Sequence, residues 1–217
     1  MLLAAAALIK DSAKTNFSIN GETITAPLFR RYTGEKVEAT PVAITNLGSD
    51  PLDAVVSASG IPIKPEPEGG NGFKIERDYF LPDGTPADVA TVKQNDRYIV
   101  VLTVTSEHDF GGHLMVVDPI PAGFEIDNPD VSANGDTGAY SWLSTDTPTH
   151  TEARTDRFIA AFDRNDSDAT DFSVAYAVRA VSPGVFAQPA ATVEDMYRPE
   201  LNARSASGKV EVVGLTK

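Results

Sequence analysis

From residue 73 onward the chain repeats one pattern, short apolar runs with a period of two, each closed by Gly, Pro, Asn or Asp. "FKIERDYFL" alternates at Phe73, Ile75 and Arg77 before "PDGTP" turns the chain, and "RYIVVLTVT" sets Tyr98, Val100, Leu102 and Val104 against the other face. "HLMVVDPIPAGFEI" reads as an apolar strand stopped by Asp118-Pro119 and Pro121, and "RFIAAFD", "DFSVAYAVRAVS" and "KVEVVG" continue the series. Successive strand side chains point to opposite faces, so alternating runs bury their apolar sets only when sheets pack face to face. With almost no 3.6-residue period after residue 15, the expected fold is mainly β, an antiparallel Ig-like β-sandwich.

The segments before residue 73 differ. Met1 to Ile9 is nearly all Leu and Ala, the best helix formers, and predicts a short N-terminal helix. No basic residue precedes the run and no small-residue cleavage site follows it, which argues against a secretion signal, and a bilayer span takes about 20 apolar residues. A helix apolar nearly all round must be buried against something, so the chain is expected to begin inside a larger protein. "FSINGETI" then sets Asn20-Gly21 between apolar residues, the strongest short-range hairpin signal, because both residues tolerate positive φ. The apolar runs Val42 to Ile44 and Leu52 to Val56 read as further strands. In "IKPEPEGGNG", two prolines and three glycines interrupt any hydrophobic period and predict a linker, with a boundary near residue 65.

Charge and composition remove whole classes of function. With 31 acidic against 18 basic residues the net charge is -13, so a phosphate backbone is repelled and nucleic acid is not an expected partner. The absence of cysteine excludes disulfides, thiolate metal sites and a cysteine nucleophile from this chain. His108, His113 and His150 fall in no metal-ligand spacing. The run Asp163 to Asp171 begins like a calcium loop, but Asp168 and Val174 stand where such a loop needs Gly and a bidentate Glu, so a polar hairpin loop is expected. No metal and no cofactor are expected. No serine lies in a nucleophile elbow, and the carboxylate groupings Glu125 with Asp127, and Glu194 with Asp195 and Glu200, are what an acidic chain produces without catalysis. The chain is not expected to be an enzyme.

Six stretches, "APLFRRY", "EGGNGFKIERDYFLPDG", "VVDPIPAGFEIDNP", "TEARTDRFIAAFD", "VAYAVRAVSPGVFAQPAATVEDMYRPEL" and "ASGKVEV", resemble the C-terminal part of the bacterial alpha-2-macroglobulins, envelope proteins that trap proteases. The resemblance implies that residues 1–14 are the terminal helix of a truncated thioester domain. Residues 15–64 correspond to a CUB-like β segment, and 65–217 to the terminal macroglobulin-like β-sandwich. It also implies a periplasmic or envelope location for the parent, with the thioester domain, the other macroglobulin domains and, through the whole protein, target proteases as partners. The family's chemistry is acylation of the attacker by a Cys-Gln thioester, kept dry until triggered. Lacking cysteine, a bait region and a thioester motif, this chain cannot itself perform that step.

Within the family pattern the terminal sandwich supplies an aromatic residue that shields the neighbouring thioester. By motif position this is Tyr197, flanked by Met196, Arg198 and Pro199. A tyrosine offers a flat apolar face that excludes water and a hydroxyl for the rim, methionine fits an irregular surface, and Pro199 restricts both itself and Arg198. Glu194, Asp195 and Glu200 are the expected supports of Arg198 through charge-assisted hydrogen bonds. Two other readings stay open at this stage: a stand-alone envelope or adhesion Ig-like module, and a carbohydrate-active enzyme using the carboxylate pairs.

Overall fold

The computed structural model describes residues 15–26, 28–32, 41–57, 64–107, 111–129, 131 and 140–215. The described residues form strands and turns and no helix; the helix expected over residues 1–14 lies outside them. The chain divides into two compact units, Met1–Ile61 and Pro62–Lys217.

In the first unit, β1 (Phe17–Ile19) pairs antiparallel with β2 (Glu22–Ile24) on one side and with β3 (Ile44–Asn46) on the other. Asn20 and Gly21 sit at φ of 49° and 86°, the two consecutive left-handed residues of a tight two-residue turn. Asn20 also ties the third strand, because its Oδ1 accepts from the Ala43 N–H at 2.8 Å. The run Leu52 to Val56, expected as a strand, forms none, and Val55 is 95% exposed. An apolar run becomes a strand when a ladder edge and a core receive it, and among the described residues neither does.

The second unit holds the remaining strands: β4 (Gly69–Asn71), β5 (Phe73–Phe80), β6 (Thr91–Lys93), β7 (Arg97–Ser106), β8 (Gly112–Pro119), β9 (Phe124–Asn128), β10 (His150–Ala153), β11 (Arg157–Arg164), β12 (Asp171–Ala180), β13 (Gly184–Gln188), β14 (Thr192–Asp195), β15 (Asn202–Arg204) and β16 (Gly208–Val213). One sheet runs β10-β11-β8-β14-β15-β4, a second β5-β7-β12-β9, and a third β13-β16-β6. Among the described residues, the strand ladders of this unit are antiparallel except β16 with β6, and a single parallel bridge joins Gly72 to Asn202. The glycines expected as linker thus begin the sandwich. β4 adds to the free edge of β15, and a methyl on Gly70 would lie 2.2 Å from the Phe73 carbonyl oxygen and 2.7 Å from Ala203 Cβ, so only glycine fits there.

The inward faces meet as the alternation requires. Tyr98, Val100, Leu102 and Val104 of β7 and Tyr176 and Val178 of β12 pack with Leu114 and Val116 of β8 and Phe158, Ala160 and Phe162 of β11. Phe158 stacks on Tyr176 with ring centroids 4.4 Å apart. The opposite face of β7 and β12 is covered as well. Ile99, Ala175 and Ala177 form a second buried cluster under Tyr140, Trp142 and Leu143, and the Trp142 indole donates to the Pro82 carbonyl at 3.1 Å.

The core also holds a buried charged group that strand alternation does not reveal. β8 ends at Asp118-Pro119 as expected, and Asp118 is its last residue but one, fully buried, opposite Phe158 of β11. Its Oδ1 accepts from Arg77 Nη1 at 2.6 Å and its Oδ2 from the Tyr176 hydroxyl at 2.7 Å. Arg77 then donates from Nη2 to the Pro189 carbonyl at 2.8 Å, with the Ala206 carbonyl at 3.5 Å. Those two carbonyls flank the roots of the β14–β15 hairpin, where Ala191 and Ser205 exchange backbone and side-chain bonds of 2.9 Å. Burial pushes the Asp118 carboxyl above its ordinary value against the pull of Arg77, and pushes the Tyr176 hydroxyl well above 10, keeping it a donor.

Candidate functional site

The β14–β15 hairpin carries the motif "ATVEDMYRPEL". β14 pairs with β8 from Thr192↔Val117 to Asp195↔Leu114, and the Met196 N–H extends the ladder to the His113 carbonyl at 2.8 Å. Period-two alternation places Val193 and Asp195 inward and Thr192 and Glu194 outward.

Asp195 is 1% exposed and organises the tip. Its Oδ1 accepts the backbone N–H of Tyr197 at 2.9 Å and of Arg198 at 3.1 Å, an Asx turn that reverses the chain directly after the strand. Its Oδ2 accepts Arg198 Nε at 2.9 Å and Nη2 at 2.6 Å, and Nη2 also reaches the Gly111 carbonyl at 2.6 Å. A second turn follows at once, closed by the Leu201 N–H on the Arg198 carbonyl at 2.8 Å, with Pro199 in the position that suits its fixed φ. Burial acts to raise the Asp195 pKa, but the backbone N–H of Tyr197, the Arg198 side chain and the Arg198 N–H outweigh it and hold the carboxyl below its ordinary range.

Of the three carboxylates expected around Arg198, Asp195 is the one that reaches it. Glu194 and Glu200 are exposed; Glu194 stands opposite Met115 and Asn202 in the ladder, and Glu200 takes part through its carbonyl, which accepts Asn71 Nδ2 at 2.6 Å. Met196 is 45% and Tyr197 79% exposed, so the apolar pair of the tip faces outward. The Tyr197 ring meets the His113 ring edge to face, centroids 5.3 Å apart and planes at 77°.

The other sequence candidates lie apart from the tip or are already engaged. Glu125 and Asp127 on β9 face Arg179 at 3.9 Å and Arg97 at 3.1 Å. The Asp163 to Asp171 run is not the expected hairpin: it leaves the end of β11 in one sheet and enters β12 in the other, so it is a loop crossing between sheets, with the Asn165 N–H bonding Asp168 at 2.8 Å. His150 opens β10, and His108 lies outside the described residues.

A residue the sequence did not flag is Gly112. A methyl there would lie 2.6 Å from Asp195 Oδ2 and 3.0 Å from Arg198 Nη2. Gly112→Ala is therefore expected to prise the ion pair off β8 and destabilise the sandwich by about 1–3 kcal/mol, as overpacking does, which urea unfolding measures.

Together the stacked sheets and the pinned hairpin define a macroglobulin-like β-sandwich. Residues 72–200 match the family model described as the bacterial alpha-2-macroglobulin MG10 domain. The chain is 28% identical over 214 residues to the alpha-2-macroglobulin of Escherichia coli K12, covering 94% of this chain and 13% of that protein. It is 32% identical over 177 residues to the alpha-2-macroglobulin of Xylella fastidiosa 9a5c, covering 76% of this chain and 10% of the relative. The crystal structure of a Salmonella alpha-2-macroglobulin mutant superposes with a TM-score of 0.68 at 25% identity, over 92% of this chain and 13% of the other. The chain belongs to the bacterial alpha-2-macroglobulin family, and it spans 10–13% of the length of these curated relatives.

Proposed function

We propose that this chain is a non-catalytic contact segment of a protease-trapping alpha-2-macroglobulin of the periplasm or cell envelope, in which the β14–β15 tip packs on the thioester domain and shields its thioester from water. Residues 65–217 are the terminal macroglobulin-like domain, 15–64 the CUB-like segment and 1–14 the end of the thioester domain. The observation that carries the reading is the contrast within the tip: Tyr197 is 79% exposed, while Asp195 beneath it is 1% exposed and bonds the chain on both sides of Tyr197. A large aromatic held outward by a buried anchor suits contact rather than core packing, since aromatic residues and arginine concentrate at the centres of interfaces. Met196 broadens the apolar contact, and Arg198 and Pro199 fix its presentation.

Shielding needs exclusion of water and no proton transfer, so the tip requires no acid or base of its own. In the full-length parent, Tyr197→Ala is expected to speed spontaneous release of a free thiol about tenfold, the effect of losing a contact of roughly 1.4 kcal/mol. Equal release rates in the two proteins, or a parent that releases no thiol at all, would overturn the shielding role.

A further inference from the structure

Resting on that reading of Tyr197, we infer that His113 and Asp163 are its positioning residues, holding the ring in the orientation it presents to a partner surface. The two stand directly opposite each other in the β8–β11 ladder, so their side chains leave the same face of the sheet. The imidazole Nδ1 and Asp163 Oδ1 are 2.6 Å apart, a bond that fixes ring rotation about the side-chain axis. The ring so fixed meets Tyr197 edge to face at 5.3 Å, within the preferred range for aromatic pairs. His113 also receives the Met196 N–H on its carbonyl, so one residue anchors the root of the tip by its backbone and its aromatic by its side chain.

Both side chains of the pair are more than half exposed, 55% for His113 and 61% for Asp163. An exposed pair of this kind adds little to global stability, because solvent screens it. Its geometric consequence is local. Without the imidazole, the exposed Tyr197 ring would sample several rotamers, and a contact would first have to select one. With it, the ring stands in one orientation before any partner arrives.

Nuclear magnetic resonance on the 217-residue chain with labelled tyrosine rings tests this, with Tyr197 assigned from Tyr197→Phe. The wild-type chain should show cross-peaks between the two rings, and Asp163→Ala should weaken them by half or more at unchanged melting temperature. Asp163→Asn, which keeps an acceptor for Nδ1–H, should preserve them. Unchanged cross-peaks in Asp163→Ala, or equal loss in Asp163→Ala and Asp163→Asn, would overturn the positioning role. In the full-length parent, thiol release separates the two ideas. Acceleration by Tyr197→Ala but not by His113→Ala refutes positioning alone, whereas no acceleration by Tyr197→Ala refutes shielding and leaves the ring geometry to the cross-peaks.

Discussion

Arg77→Ala is expected to destabilise the sandwich by about 3–5 kcal/mol, a large share of the 5–15 kcal/mol that holds a typical domain together. Removing the guanidinium leaves the Asp118 carboxylate buried with only the Tyr176 hydroxyl for company, and an uncompensated buried charge is among the largest single-residue penalties. The side chains of the pair are 4% and 1% exposed, so solvent provides little screening. Substituting both partners by apolar residues of similar volume, Arg77→Met with Asp118→Leu, should recover most of the loss, because that change removes the desolvated charges together. Urea unfolding of the two variants beside wild type checks this. Equal instability of single and double variants would show that packing, and not the charge pair, is what Arg77 supplies.

Arg77 matters to the candidate site because of where its other bonds go. It bonds the Pro189 carbonyl and approaches that of Ala206, bracketing the hairpin that carries Tyr197. Asp195→Ala is the second large effect, and it acts at the far end of the same hairpin. Two backbone N–H groups and the Arg198 side chain lose their acceptor at once. Arg198 is 41% exposed, which discounts its share, and a loss of roughly 2–3 kcal/mol is expected, concentrated in residues 196–201. Hydrogen exchange should show protection at the Arg198 and Leu201 amides falling about 30- to 100-fold while the amides of β7 and β12 keep theirs. Uniform loss across the sandwich would instead make Asp195 a global core residue.

The same carboxylate sets an acid limit for the tip. Its folded pKa lies below the ordinary 3.8, so its stabilisation is fully present above that value and drains away as the pH falls through the folded pKa. Tip amides should thus lose protection below about pH 4, and Asp195→Asn should remove that dependence. A wild-type tip whose protection is flat through this range would contradict the lowered pKa.

Much of the sandwich was legible because strand alternation is a local signal. Tyr98, Val100, Leu102 and Val104 occur in the phase that the core requires, and Asn20-Gly21 forms the hairpin turn its φ preferences dictate. Arg77 shares the alternation phase of Phe73 and Ile75, which sets it on their face of the strand. Its partner was not legible, because Asp118 precedes a proline and reads as a strand stop, and the two residues are joined only across stacked sheets. Gly69 to Asn71 read as linker for a similar reason: glycine advertises flexibility locally, while the close approach that demands it comes from Ala203 far along the chain. At the tip, the motif marks Tyr197 and Arg198, yet Glu194, Asp195 and Glu200 are chemically alike as supports. What separates them is phase, since Val193 and Asp195 share the buried face and Glu194 does not.

By itself, then, the amino-acid order determined the β class and the tight turns, both of which depend on neighbours within a few residues. Only the tertiary structure decided that Asp118 is buried against Arg77 and Tyr176, that Asp195 holds Arg198, and that His113 and Asp163 stand beneath Tyr197. Each of those depends on distances between strands remote in sequence, and a carboxylate or a histidine takes its role from the charges and rings that folding brings within a few ångströms of it.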